Sequence, residues 1–218
     1  MSARFQSAST LTRRPLREAE VVRRDAELLQ IVSDWAGEAY GRGGANLVCR
    51  AGCAQCCVGT FAIHRLDALR LQRGLSALAD VDPERAQRVL QRAAESMERN
   101  IAEFPGDMDT GLLYETPEAQ ALFEDFANDE PCPALDPVSK TCDLYEYRPM
   151  TCRVYGPPLE SEEGIGVCEL NFQGAAPEAV AAALVPLRGA ELEDELVKQL
   201  ESFTGPGKTI VAFALLGA

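Results

Sequence analysis

The residues able to do chemistry in this sequence are its eight cysteines, which fall into two quartets. The first is Cys49, Cys53, Cys56 and Cys57, held within the nine residues CRAGCAQCC. The second is Cys132, Cys142, Cys152 and Cys168, and 74 residues separate the two groups. Thiolates two or three residues apart on a tight loop converge on one cation without strain. Four of them complete a tetrahedral zinc site or hold the corners of an iron–sulfur cluster. Soft sulfur donors select zinc, iron or copper(I) over magnesium or calcium. Free cysteine also serves as a small buried hydrophobe, but four in a Gly-Ala-Gln context have little to bury. All eight are therefore candidate metal ligands, and spacing alone leaves zinc, iron and an iron–sulfur cluster open. Adjacent side chains of extended backbone point to opposite faces. That geometry expects Cys56 and Cys57 to join one each of two neighbouring sites, or both to bind one multinuclear cluster.

Arg148 and Arg153 flank the later cysteines. A divalent ion with four thiolates carries an excess of negative charge, which these arginines can offset while donating hydrogen bonds to sulfur. The plainer reading pairs them with Glu146 or Asp143. Tyr145 and Tyr155 are expected to pack around the site, and Pro133 and Pro149 to stiffen the loops presenting Cys132 and Cys152. His64 is the only histidine; it can ligate a metal or move a proton, but at a helix start it is read first as a local hydrogen-bonding residue. No Ser-His-Asp arrangement is supportable, and no catalytic residue is assigned.

Several helices must position these groups. Val21, Leu28, Val32, Trp35 and Ala39 recur on one face, so residues 16–40 are expected to be helical, stopped by Gly41, Gly43 and Gly44. Phe61-Ala62-Ile63 reads as a short strand. A helix follows over 64–79, with Leu66, Leu69, Leu75 and Leu78 inward. Asp82-Pro83 starts another, to about Phe104, and Thr116-Pro117 a short one to about Asn128. Residues 131–158 hold six of the chain's 13 prolines and must be irregular. Helix returns over 177–203, and TIVAFALLGA is a strand or a last buried run. The expected fold is mostly α, with helices packed around an irregular, cysteine-rich, metal-centred layer and at most short strands. The organisation expected is a mobile basic tail, 1–15, and one cysteine-cluster domain, 16–218. Within it lie cysteine segments 49–57 and 131–168, a helical insert 64–128 and a C-terminal helical region 177–203.

Composition narrows the function. The 218 residues carry a net charge of −13, the wrong sign for nucleic acid. No stretch approaches the roughly 20 apolar residues of a membrane span. Residues 1–24 alone are basic, with six Arg against two Glu, which offers an arm for an acidic protein partner or a solvated tail. The N-terminus has no apolar run of a secretory signal, so a cytoplasmic location is expected. In that reducing setting eight cysteines are not a disulfide framework.

CRAGCAQCC, followed by CPALDPVSKTCDLYEYRPMTCRVYG, resembles the CxxCxxCC family, the YkgJ-like cysteine-cluster proteins. The resemblance rests on Cys49, Cys53, Cys56 and Cys57, then Cys132-Pro133, Leu135, Cys142, Tyr145, Arg148-Pro149 and Cys152-Arg153. The first loop here is one residue longer than the family's nickname. The resemblance implies zinc or iron chelation, with activity poorly defined across the family. One relative, the flagellin lysine methylase, is similar to an iron–sulfur enzyme that modifies protein side chains. Three classes of function stay open: a metal-binding module, an iron–sulfur enzyme acting on a protein, and a metal storage or delivery protein.

Overall fold

The computed structural model describes residues 8–161 and 164–217, with side chains described from residue 17. The longest element, α1 (Ala8–Gly43), begins before the expected Leu16. Pro15 lies inside it, where a missing N–H removes one backbone bond without ending the helix. Of the expected basic tail, residues 1–7 lie outside the described residues. The face read from α1 is buried as expected: Val21, Leu28, Trp35 and Ala39 are fully enclosed and Val32 nearly so.

The strand β1 (Ala62–His64) leads into α2 (Arg65–Val81) and then α3 (Pro83–Asn100). Asp82 caps α3 by accepting from the Arg85 amide at 3.0 Å. A 3-10 turn over Ile101–Glu103 completes the helical stretch that the sequence extends to Phe104. The pair β2 (Gly106–Asp107) and β3 (Leu112–Leu113) is antiparallel. Thr116 then caps α4 (Pro117–Asp125) through the Ala119 amide at 3.2 Å.

The proline-rich stretch is irregular apart from a 3-10 turn at Tyr145–Tyr147 and a five-residue helix, α5 (Met150–Val154). After it come β4 (Leu159–Ser161) and β5 (Gly164–Gly166), which pair antiparallel. The expected helix over 177–203 is two: α6 (Pro177–Ala183) and α7 (Ala190–Thr204). Pro186 cannot donate into a helix, and Gly189 takes a left-handed φ of +92°. The break frees the Val185 carbonyl to accept from Trp35 Nε1 at 2.9 Å, tying the interruption to the centre of α1.

The C-terminal run divides between the two readings offered for it. Lys208–Ile210 is β6, antiparallel to β1 with Ile63 opposite Thr209, and Val211–Leu216 is α8. The fold is mostly α with short two-stranded sheets. One buried cluster joins α1 to α7 through Val21, Leu28, Trp35, Leu196 and Leu200, with Leu66 and Met150 beneath. A second joins α2, α3 and α8 through Ile63, Leu71, Val89, Leu144 and Val211, and Cys132 and Cys142 pack against it. Both therefore touch the segment that carries the later cysteines.

Candidate metal centre

The first cysteine loop is tightly wound. The Cys53 amide donates to the Arg50 carbonyl at 2.9 Å and the Cys57 amide to the Ala54 carbonyl at 3.0 Å. Gln55–Cys57 is a 3-10 turn, not extended backbone. The expectation that Cys56 and Cys57 face opposite ways fails for that reason. The adjacent Cys57 thiol and desolvation push the Cys56 thiol up.

Backbone bonds stitch this loop to the second cysteine segment. The Cys132 amide donates to the Cys57 carbonyl at 2.8 Å, and the Gly59 amide to the Glu130 carbonyl at 2.9 Å. Residues 132–143 fold back on themselves, with Leu135 and Cys142 bridged antiparallel and the Asp143 amide donating to the Ala134 carbonyl at 2.7 Å. α3 clamps that hairpin: Arg85 and Arg92 hold the Asp143 carboxylate at 2.6 and 2.5 Å, and Arg92 also donates to the Pro133 carbonyl at 2.8 Å. The carboxylate that the sequence offered to Arg148 or Arg153 is thus taken by α3.

Cys152 lies in α5, whose first amide, that of Met150, donates to Asp67 Oδ1 at 2.8 Å. Burial pushes the Cys152 thiol up, and the neighbouring Cys132, Cys142 and Cys56 push it further, while Arg148 opposes them. Burial likewise raises Cys142, and raises Cys132 to about 12. Arg148 lies 3.8 Å above the Tyr145 ring and acts electrostatically on Cys56, Cys142 and Cys152. Its Nε is buried without a hydrogen-bond partner among the described residues. Arg153 instead staples the loop, donating to the backbone carbonyls of Arg148 (3.1 Å) and Glu146.

Cys49 lies beside Asn171, which the sequence did not single out, and the Asn171 backbone amide donates to the Cys168 carbonyl at 2.8 Å. Asn171 accepts from the Val48 amide at 2.9 Å and donates to the Gly156 carbonyl at 2.8 Å. Its amide also lies 3.5 Å from the Cys49 sulfur. The Cys168 amide donates to the Gly156 carbonyl at 3.3 Å. Gly156 has φ +121°, and a Cβ there would stand 3.4 Å from the Cys49 sulfur. Tyr40 lies against Cys49; its hydroxyl is pushed up to about 12, by burial first and then by that thiol. Tyr155 is raised by burial and by Cys168 and Cys56.

All eight cysteines are free thiols; Cys168 is buried, Cys56 exposed and the others half-buried. Among the described residues, no three His, Cys, Asp or Glu side chains stand grouped as ready-made metal ligands. His64 takes the N-cap position of α2 without a side-chain capping bond. The donor chemistry nonetheless suits zinc or iron, because sulfur from two distant segments is held by backbone bonds in one region.

Fold and site together define a mostly helical protein whose irregular stretch collects free thiols. Residues 48–169 match the CxxCxxCC family, described as a "putative zinc- or iron-chelating domain". The match spans more than half of the chain and encloses every cysteine, and the chain belongs to this family. Comparison with curated proteins and with solved structures finds no match.

Proposed function

We propose that this protein binds zinc or iron through thiolates drawn from both cysteine segments, Cys49–Cys57 and Cys132–Cys168. One observation carries the reading: the Cys57 carbonyl and the Cys132 amide are hydrogen-bonded at 2.8 Å, so two quartets far apart in sequence share one region. Rotation of cysteine side chains on loops already fixed by backbone bonds closes the shell around the ion. Cys132, Cys142 and Cys152 with Cys56 form one set beside Arg148; Cys49 and Cys168 form another beside Asn171, with Cys53 and Cys57 on the loop between them. Arg148 supplies positive charge to a thiolate-rich centre, and Arg153 acts one step removed by shaping the loop that carries it. Zinc there supplies a covalent-strength cross-link between loops; an iron–sulfur cluster supplies electron transfer.

The described helices include none long and apolar enough to cross a membrane. A reducing, cytoplasmic setting belongs to this reading, because there the eight cysteines stay available to metal. Residues 16–218 then act as one metal-organised unit.

Anaerobic purification followed by metal and sulfide analysis and an absorption spectrum tests the proposal. Colourless protein with tightly held zinc supports a structural module. Brown protein with iron and sulfide supports a cluster, and readily exchanged metal supports storage or delivery. Protein with neither zinc nor iron, and none taken up under reducing conditions, overturns the proposal.

A further inference from the structure

Beneath the thiols lies a buried charged network that the metal reading does not use. Asp67, in the first turn of α2, is 3 % exposed, Asp25 of α1 is 2 % and Arg70 of α2 is 1 %. Arg70 donates to Asp25 through Nε at 3.1 Å and Nη2 at 2.6 Å, and to Asp67 Oδ1 through Nη1 at 2.5 Å. Asp67 Oδ1 also accepts the Met150 amide at 2.8 Å. Met150 is the first residue of α5, and Cys152 follows two residues later.

Burying three charges is costly, and well-packed apolar residues of similar volume are often as stable. What such a network supplies that an apolar core lacks is direction: a carboxylate fixed by a guanidinium holds its remaining lone pairs in set orientations for an amide to meet. Here the amide gripped belongs to a five-residue helix whose Met150 and Val154 pack into the α1–α7 cluster and whose first amide needs a partner outside the helix. An isolated helix of that length does not persist alone, so its position is set by what holds its ends.

We propose that Asp67 is a positioning residue for Cys152: through the Met150 amide it fixes the helix that presents this thiol to Cys56, Cys132 and Cys142, while Arg70 and Asp25 fix Asp67. The proposal rests on the reading of Cys152 as a metal ligand. Cys49 serves as the reference thiol, since among the described residues no hydrogen bond of this network reaches it and it meets the chain beyond α5 at Gly156.

The test is pulsed iodoacetamide alkylation of the anaerobically purified, undenatured full chain, resolved cysteine by cysteine by mass spectrometry. Asp67→Ala is expected to raise the Cys152 rate about tenfold relative to Cys49 in the same sample. Asp67→Asn retains an oxygen for the Met150 amide and is expected to keep that ratio near the parent's. An unchanged ratio in Asp67→Ala overturns the proposal, as does an equal rise at every cysteine or an Asp67→Asn protein that behaves like Asp67→Ala. Should Asp67→Ala not fold, Met150→Pro removes the donor at a first-turn position that accepts proline, and Met150→Ala controls for the lost buried side chain; a raised Cys152 ratio in the proline variant alone supports the tether, and equal ratios in the two overturn it. Metal analysis of the same preparations keeps the two claims apart. A parent lacking zinc and iron refutes the metal reading and leaves the alkylation ratio to decide the tether.

Discussion

Asn171 connects three strands of the argument at a single side chain: the Val48 amide, the Gly156 carbonyl and the Cys49 sulfur all converge on it. Replacing it with Ala leaves buried backbone groups unpaired, at a cost of about 1–3 kcal/mol. Denaturant unfolding should show that loss, with Cys49 and Cys168 becoming the most reactive thiols. Asn171 was not legible in the sequence, because an asparagine three residues beyond a cysteine carries no pattern of its own until the chain folds back onto Val48. The cysteines were legible, since their spacing is the signal. The error at Cys56 and Cys57 came from assuming extended backbone where the loop forms a 3-10 turn. A second residue-scale prediction concerns Glu193, whose carboxyl burial raises from 4.5 to about 7, with Asp67, Asp194 and Asp25 adding to the rise and Arg70 opposing it. Between those pH values the folded state holds a proton that the unfolded state has lost. The stabilisation is therefore complete below about pH 4.5 and fades as pH rises through about 7. Urea titrations across this window should show the parent losing stability relative to Glu193→Gln as pH increases, and parallel curves would contradict it.

At the scale of elements, apolar periodicity located α1, α2 and α3, and capping chemistry located the starts of α3 and α4: Asp82 and Thr116 both make the bonds their positions suggest. The break between α6 and α7 escaped that reading because periodicity continues across it. Its cause is local, in Pro186 and Gly189, and its consequence is distant, in the bond from Trp35 to the Val185 carbonyl. Gly189→Ala forces a side chain into a left-handed backbone and places a Cβ 2.8 Å from Leu28 Cδ1. Thermal melting should fall by the equivalent of about 1–2 kcal/mol, with the packing of α1 against α7 the first to loosen. The hairpin of residues 132–143 depends instead on charge. Arg92→Ala removes one clamp on Asp143 and the bond to the Pro133 carbonyl, and should speed proteolysis within 131–143 before it affects the helices.

Across the whole molecule the helices pack on their apolar faces, and the irregular stretch joins those cores through Ala134, Leu144 and Met150. The family match, 48–169, coincides with the cysteine-bearing part and leaves all of α1 and of α6 to α8 outside it. Of those outer helices, α1 and α7 nevertheless build one buried cluster, with Leu66 and Met150 beneath it. On the metal reading, chelation should loosen 49–57 and 131–168 while α1 and α7 persist, visible as hydrogen exchange rising in those two segments alone. Bound structural zinc contributes on the order of 10 kcal/mol to folding, so the melting temperature should fall as metal is withdrawn. The most direct test is the metal content of anaerobically prepared parent, Cys53→Ser and Cys142→Ser, one substitution in each segment. The account predicts stoichiometric zinc or iron in the parent and a clear loss in both variants. Undiminished metal in either variant, or a parent that never held any, would contradict it.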